Sequence, residues 1–434
     1  MEFEDSKILP FDIPTDTPRI IKVIGVGGGG SNAVQNMYRE GIHNVTFVLC
    51  NTDCQALANS DIPVKVQLGR ETTKGLGAGN DPSVARDSAQ ESIDEIRDLF
   101  KDETKMVFIT AGMGGGTGTG AAPVVAQVAK EMGVLTVGIV TIPFQFELKP
   151  KINQALRGVE EISKNVDALL VINNQRLLDI YPELDIEEGF RKVDEVLTIA
   201  TKSIAEIITT KGTINLDFRD VSKILKNGGV AIMSYGIGTG SNRLATAIDK
   251  ALHSPLLNDN DIYNSKKILF NIYHNSQKPL RVGEMEELNK FMNKFKNGEI
   301  EVIWGLTRDD NLKDDEVKIT VLATGFGVHD VPGMDEIIKE DAQKDATLKS
   351  EEEANKEKTQ SHINQLYNDW YKSQTTVRSF IFEEGDVMNN DLINEVEESP
   401  TYQRTSSDLT RMEEKHRPAA PSTGDSEEEA AHEE

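Results

Sequence analysis

The chain has 434 residues, with 47 Lys and Arg against 72 Asp and Glu, a formal charge of −25. That acid excess excludes nucleic-acid binding through a cationic surface and disfavours adsorption to an anionic membrane. Two cysteines, Cys50 and Cys54, are too few for a disulfide framework, and no apolar run reaches the ~20 residues of a membrane span. The acidic start MEFEDSKILPF lacks the basic-then-apolar order of a secretory signal. These features predict a soluble cytoplasmic chain with no direct membrane insertion.

Residues 1–18 read as an N-terminal extension. Between 19 and 188, runs rich in Val and Ile alternate with helical patterns: Ile20–Ile24, Val45–Cys50, Met106–Thr110, Leu135–Ile142 and Ala168–Ile172. One helix opens with Asp81 as cap and Pro82 in its first turn. Strands without polar alternation, separated by helices, predict an α/β domain whose parallel sheet is covered on both faces. Phe190, Val193, Leu197, Ala200, Ile204, Ile207 and Ile208 recur at three or four residues, predicting a long central helix over 189–212. A second run of strands (Val230–Tyr235, Ile268–Ile272, Val302–Leu306, Ile319–Thr324) predicts a smaller α/β domain over 213–330.

Composition changes after Pro332. Residues 331–434 hold 26 acidic and 11 basic side chains, so 331–398 is expected to be a disordered linker and 399–434 a peptide with an acidic tail. Apolar islands at Leu366–Tyr371, Val377–Phe382 and Ser399–Tyr402 read as stray apolar residues, with partner-binding peptides as the alternative.

The stretch IIKVIGVGGGGSNAV sets strand, glycine loop and helix in order. Gly25, Gly27 and Gly30 fit G-x-G-x-x-G, and Asp53 ends the next strand-like segment, the dinucleotide-binding pattern. Glycines suit this place because a phosphate must approach backbone N–H groups at a helix N-terminus. A second strand, Met106–Thr110, runs into another loop, Ala111–Gly120, whose Thr117 and Thr119 offer hydroxyls. A third stretch, Gly75–Gly79, precedes the Asp81–Pro82 helix and is placed to close over an outer phosphate. A dinucleotide usually needs one such loop, so a nicotinamide oxidoreductase leaves the second unexplained. Two loops suit a triphosphate gripped from both sides. Neither major loop matches the P-loop pattern with its lysine, so backbone dipoles and a cation such as Mg²⁺ must meet the phosphate charge. Gly236–Gly240 reads as a tight strand-to-helix turn, His253 as a lone histidine without metal, and Cys50 and Cys54 as core thiols. In Asn215-Leu-Asp217-Phe-Arg-Asp220, two carboxylates three apart sit on one side of an opening helix. A capping Asp beside a solvated Asp is the competing reading.

GGGTGTG after a strand is similar to the tubulin signature. Together with GVGGGGSNAV, Asn51–Asp53, TKGLGAGNDP and AGMGGGTGTGAAPVVA it resembles the bacterial tubulin-like cell-division GTPases over about residues 19–328. The resemblance implies a tubulin-like fold and a site for GTP or GDP with Mg²⁺, and a monovalent cation as a further candidate. It implies Gly28, Gly29, Gly30, Ser31 and Asn32 as the first phosphate loop, and Gly116, Thr117 and Gly118 as the heart of the second. Glu147 would meet the ribose, with Lys151 where the family usually has arginine. Phe190, Asp194 and Asn174 would hold guanine, whose N1 and N2 hydrogens suit one carboxylate. Asn215, Asp217 and Asp220 would enter the site of the next copy and orient water there, giving head-to-tail filaments at the mid-cell division site. Glu398-Ser-Pro-Thr-Tyr-Gln-Arg404 resembles the family's docking peptide for membrane tethers and division-ring proteins, with Gln403 replacing leucine. A tubulin-like nucleotide-binding regulator that does not polymerise is the third possibility.

Overall fold

The computed structural model describes residues 19–42, 44–253, 262–295, 300–334, 379–383, 386–401 and 403–416. The expectations for residues 1–18, for Leu366–Tyr371, for Tyr402 and for the acidic end lie outside them. The chain forms two compact units, 1–340 and 341–434.

Among the described residues, eleven strands of the first unit make one sheet. They are β1 (Ile21–Val26), β2 (Val45–Asn51), β3 (Val64–Gln67), β4 (Met106–Gly112), β5 (Leu135–Ile142), β6 (Ala168–Asn173), β7 (Gly212–Ile214), β8 (Gly229–Gly238), β9 (Lys267–His274), β10 (Glu301–Arg308) and β11 (Val317–Phe326). Their order is β3-β2-β1-β4-β5-β6-β8-β11-β9-β10-β7. From β3 to β8 every pairing is parallel, with Ile21 opposite both Val45 and Met106, and Met106 opposite Leu135. Every residue of β1 and β5 is buried, as strands covered on both faces require. Beyond β8 the pairing turns mixed, and β11 runs antiparallel to both neighbours.

Among the described residues eleven helices accompany them: α1 (Gly27–Arg39), α2 (Cys54–Ala58), α3 (Pro82–Glu91), α4 (Ile93–Asp98), α5 (Gly116–Glu131), α6 (Lys149–Asn165), α7 (Asn174–Ile180), α8 (Ile186–Thr209), α9 (Phe218–Leu225), α10 (Arg243–Leu252) and α11 (Met285–Met292). Two cores result. One gathers α3, α5, α6 and α10 on one face, and the other gathers α1, α8 and α9 on the opposite face. The tubulin-like α/β architecture expected above is present, but its two halves share a sheet, joined where Ala168 pairs with Gly229. Helix α8 therefore packs against both halves: Ile204 and Ala200 share a core with Ile172 of β6 and with Met233 of β8 and Leu322 of β11.

Helix α8 starts and stops three residues earlier than the apolar stripe suggested. Asp185 caps it, accepting from Glu188 N while Glu188 answers from the third position. Phe190 leaves the stripe and is 43% exposed. Gly236 and Gly238 correct another expectation. They lie inside β8, and a Cβ on either would stand about 2 Å from the backbone oxygen of Ala247 or Arg243. Close packing of α10, not a turn, requires glycine there.

In the second unit, α12 (Asn390–Glu398) and α13 (Ser406–His416) enclose Phe380, Leu392, Val396 and Met412. Helix α12 stands where a structureless linker was expected. Asn389 caps it at Leu392 N, and Leu392 and Val396 recur at helical spacing. Between the helices, buried Arg404 donates to the carbonyls of Val396 and Ser399, completing the end of α12. Glu395 meets Lys415 and His416, which hold its carboxyl down at about 2.

Candidate functional site

Parallel strands place all their C-terminal ends on one edge of a sheet, and ligands collect there. At that edge β1 runs into Gly27–Asn32, β4 into Gly112–Gly118, β5 into Pro143–Glu147, and β6 into Asn174. The two glycine loops touch. Gly27 has φ +72°, and a Cβ there would come within 2.8 Å of Gly118 N. Thr52 at the end of β2 and Thr117 join hydroxyls at 2.8 Å.

A cavity of about 260 Å³ opens between these loops and the start of α8. Gly29, Asn32, Gly112, Gly115, Glu147, Lys151, Asn174, Phe190 and Asp194 all line it. The structure thus gathers residues drawn from five separate stretches of sequence. Gly28 is exposed beside Gly29, and Gly116, Thr117 and Gly118 form the first turn of α5. Two polar atoms here are buried without a hydrogen-bond partner, Asn174 Oδ1 and Ser31 Oγ. Orphaned polar atoms beside a cavity fit a site whose ligand supplies the partner. Burial pushes the Asp194 carboxyl up to about 6, which suits a group awaiting donors from a ligand. Phe190 meets Phe144 edge-on at 5.1 Å. Lys151 and Glu147 pair with each other, and Glu147 also accepts from Phe144 N.

Other sequence expectations change. Asp53 caps α2, accepting from Gln55 N and Ala56 N, so its carboxylate serves the helix and is not offered to a ribose. Thr119 Oγ1 accepts from Gly114 N within its own loop. Cys50 is buried, its thiol pushed up to about 12, but Cys54 is exposed and is no core thiol. His253 bonds through Nδ1 to the Asp249 carbonyl. Gln154 escaped notice in the sequence, since it belongs to no glycine run or acidic pair, and Thr52 was read only as part of the Asn51–Asp53 motif.

Asn215, Asp217 and Asp220 do not line the cavity. Asp217 caps α9, accepting from Arg219 N at 2.7 Å, and Asp220 answers by accepting from Asp217 N at 2.9 Å. Asn215 accepts from Gly212 N. Both acids take part in the cap of α9, where the competing reading had one of them solvated, and Asp217 and Asn215 are exposed.

Residues 20–182 match the tubulin/FtsZ family GTPase domain, 229–327 the FtsZ family C-terminal domain, and 374–419 a further FtsZ C-terminal segment. The cell division protein FtsZ of Porphyromonas gingivalis is 49% identical over 405 residues, covering 91% of this chain and 88% of that one. The protein of the same name from Coxiella burnetii is 44% identical over 310 residues, 71% and 79% of the two chains. A structure described as an FtsZ dimer from M. jannaschii matches at TM-score 0.65 and 38% identity, covering 70% of this chain and 88% of that one. GDP-bound CetZ1 from Haloferax volcanii, 23% identical, shares the fold at TM-score 0.64, covering 74% and 99%. With its loops, its cavity and these matches in agreement, the chain belongs to the FtsZ family of tubulin-like GTPases.

Proposed function

We propose that this GTPase is completed only between copies of the chain, which assemble head to tail. The observation that carries the reading is a separation. The base-side residues Phe190 and Asp194 lie near the start of α8, while Asn215, Asp217 and Asp220 follow its end. At about 1.5 Å per residue, the run from Asp194 to Thr209 alone covers about 22 Å. Acids at one end of a rigid helix cannot reach a cavity at the other, but they can reach the cavity of a neighbour. A contact between unlike faces does not close on itself, so it extends into a filament. Exposed Leu76, Phe146 and Leu148, on the loops of the cavity edge, offer that neighbour apolar surface.

In the shared site, Asp194 and Asn174 take guanine and the glycine loops direct N–H groups at the phosphates. Asp217 and Asp220 of the next copy accept hydrogens from the attacking water and orient it, with Asn215 beside them. Among the described residues no group of three His, Cys, Asp or Glu could cage a metal. Mg²⁺ would arrive on the nucleotide, where it neutralises phosphate charge. Filaments of this kind would form the ring at the mid-cell division site, and Ser399–Arg404 would dock tethers and ring proteins.

Mixing tests the shared site. Asp217→Asn spares the cavity, and Asp194→Lys spares the acids. Each variant alone should turn over little GTP, and a mixture should recover activity because acids of one chain meet the cavity of the other. No recovery, with both variants entering filaments, would place the whole site in one chain.

A further inference from the structure

Gln154 lies on α6, outside every motif that carries the GTPase reading. Its Nε2 stands 3.1 Å from the Gly114 carbonyl oxygen, 3.2 Å from that of Gly115 and 3.5 Å from that of Asn80. The first two belong to the second glycine loop, and Asn80 closes the third.

In a trans peptide the C=O and the following N–H point in opposite directions. A donor holding the Gly114 oxygen therefore aims the Gly115 N–H the other way, and one holding the Gly115 oxygen does the same for Gly116 N–H. Those two N–H groups open α5, and the first N–H groups of a helix have no partner within it. Gly115 is the cap of α5 but has no side chain to cap with, and it lines the cavity. Between glycines a peptide unit turns over at little steric cost, and Gly114 already sits at φ +96°. A turned peptide would present a carbonyl oxygen where the phosphate needs a donor. The amides upstream are tied elsewhere: Met113 N donates to the Thr141 carbonyl and Gly114 N to Thr119 Oγ1. Residues 114–116 thus need an outside hold, and one carboxamide supplies it. The bond to Asn80 adds the third loop to the same clamp, where Gly116 is packed so closely that a Cβ would meet Asp81 N at 2.9 Å.

We propose that Gln154 is a positioning residue that holds the second glycine loop with its N–H groups facing the phosphates and locks the third loop to it. The proposal rests on the reading of residues 114–118 as a phosphate loop. It is tested by calorimetric titration of GTP and of guanosine into the full chain, below the concentration of assembly, for Gln154→Leu and Gln154→Glu. Leucine removes the donors; glutamate keeps the size but sets acceptors against the three carbonyls. Both variants should bind GTP about tenfold more weakly, with guanosine affinity unchanged and the nucleotide-free melting temperature lowered only by what the lost hydrogen bonds cost. KM for GTP should rise by a similar factor, with kcat at saturation changing far less. Unchanged GTP affinity in either variant that folds would overturn the proposal, as would equal weakening of GTP and guanosine. If the unsubstituted chain bound guanosine as tightly as GTP, the phosphate-loop reading would itself fail.

Discussion

Asp194 sets how the site responds to acid. Desolvation pushes its half-buried carboxyl up to about 6, well above the usual carboxylate value of 3.8. The folded chain thus holds this proton more tightly than the unfolded one. Burying the charge costs stability above pH 6, and the cost is relieved as pH falls toward 4. On the proposed reading of Asp194 as the guanine ligand, nucleotide binding runs the other way, because only the carboxylate accepts two N–H groups. GTP affinity should be flat above pH 6 and fall by up to about tenfold per pH unit below it. Asp194→Asn should flatten that profile and narrow the gap between GTP and ATP, both readable by titration. A profile unchanged in the variant would take Asp194 away from the base. Also at residue scale, Gly238→Ala forces a methyl group against the Arg243 carbonyl of α10. Overpacking of this kind costs about 1–3 kcal/mol, to be seen as a lowered denaturation midpoint with nucleotide affinity retained.

Among the elements, the opening of α9 is a helix cap that the proposed function also gives a catalytic job. Asp217 and Asp220 form a reciprocal cap, and losing a capping side chain costs about 1 kcal/mol. Asn caps a helix about as well as Asp, so Asp217→Asn separates the roles. It should leave thermal stability near that of the unsubstituted chain while GTP turnover collapses. Asp217→Ala should lose both. If Asp217→Asn kept full turnover, the residue would be a cap and nothing more. The strand segments were legible in the sequence because buried parallel strands are continuous apolar runs, and β1, β4, β5 and β6 appear where Val and Ile cluster. Short β3 and β7 were not, since four and three residues carry no period. Nor was α12, whose Leu392 and Val396 lie in a strongly acidic stretch and gain meaning only beside Met412.

For the molecule as a whole, the two units stand on separate cores. Among the described residues, Phe380, Leu392, Val396 and Met412 pack among themselves, and the GTPase cores draw on residues 20–334. Deleting residues 341–434 should therefore leave GTP affinity intact and the melting temperature of the remainder within about 2 °C, a shift that would correspond to well under 1 kcal/mol. Loss of GTP binding on that deletion would show that the second unit supports the first. If the site is shared between copies as proposed, turnover belongs to the assembly rather than to the chain. Phosphate release per chain should be negligible at low concentration and rise once light scattering reports filaments. Constant specific activity at all concentrations would contradict a site shared between copies.

The sequence by itself determined the loops and the type of ligand. Four glycines in a row after one strand and GGGTGTG after another are local facts, because backbone approach to a phosphate is decided by which residues lack a Cβ. It also carried the acids of Asn215–Asp220 and the start of α8 as segments. Tertiary structure alone decided which of these meet. Strand order brings Asn174, Glu147 and the two loops to one edge. The rigid length of α8 keeps Asp217 and Asp220 away from them. Packing also reassigned Asp53 to a helix cap, Gly236 and Gly238 to the seam under α10, and Gln154 to the carbonyls of the second loop. Such assignments depend on distances between segments far apart in the chain, and those distances exist only once the sheet has formed.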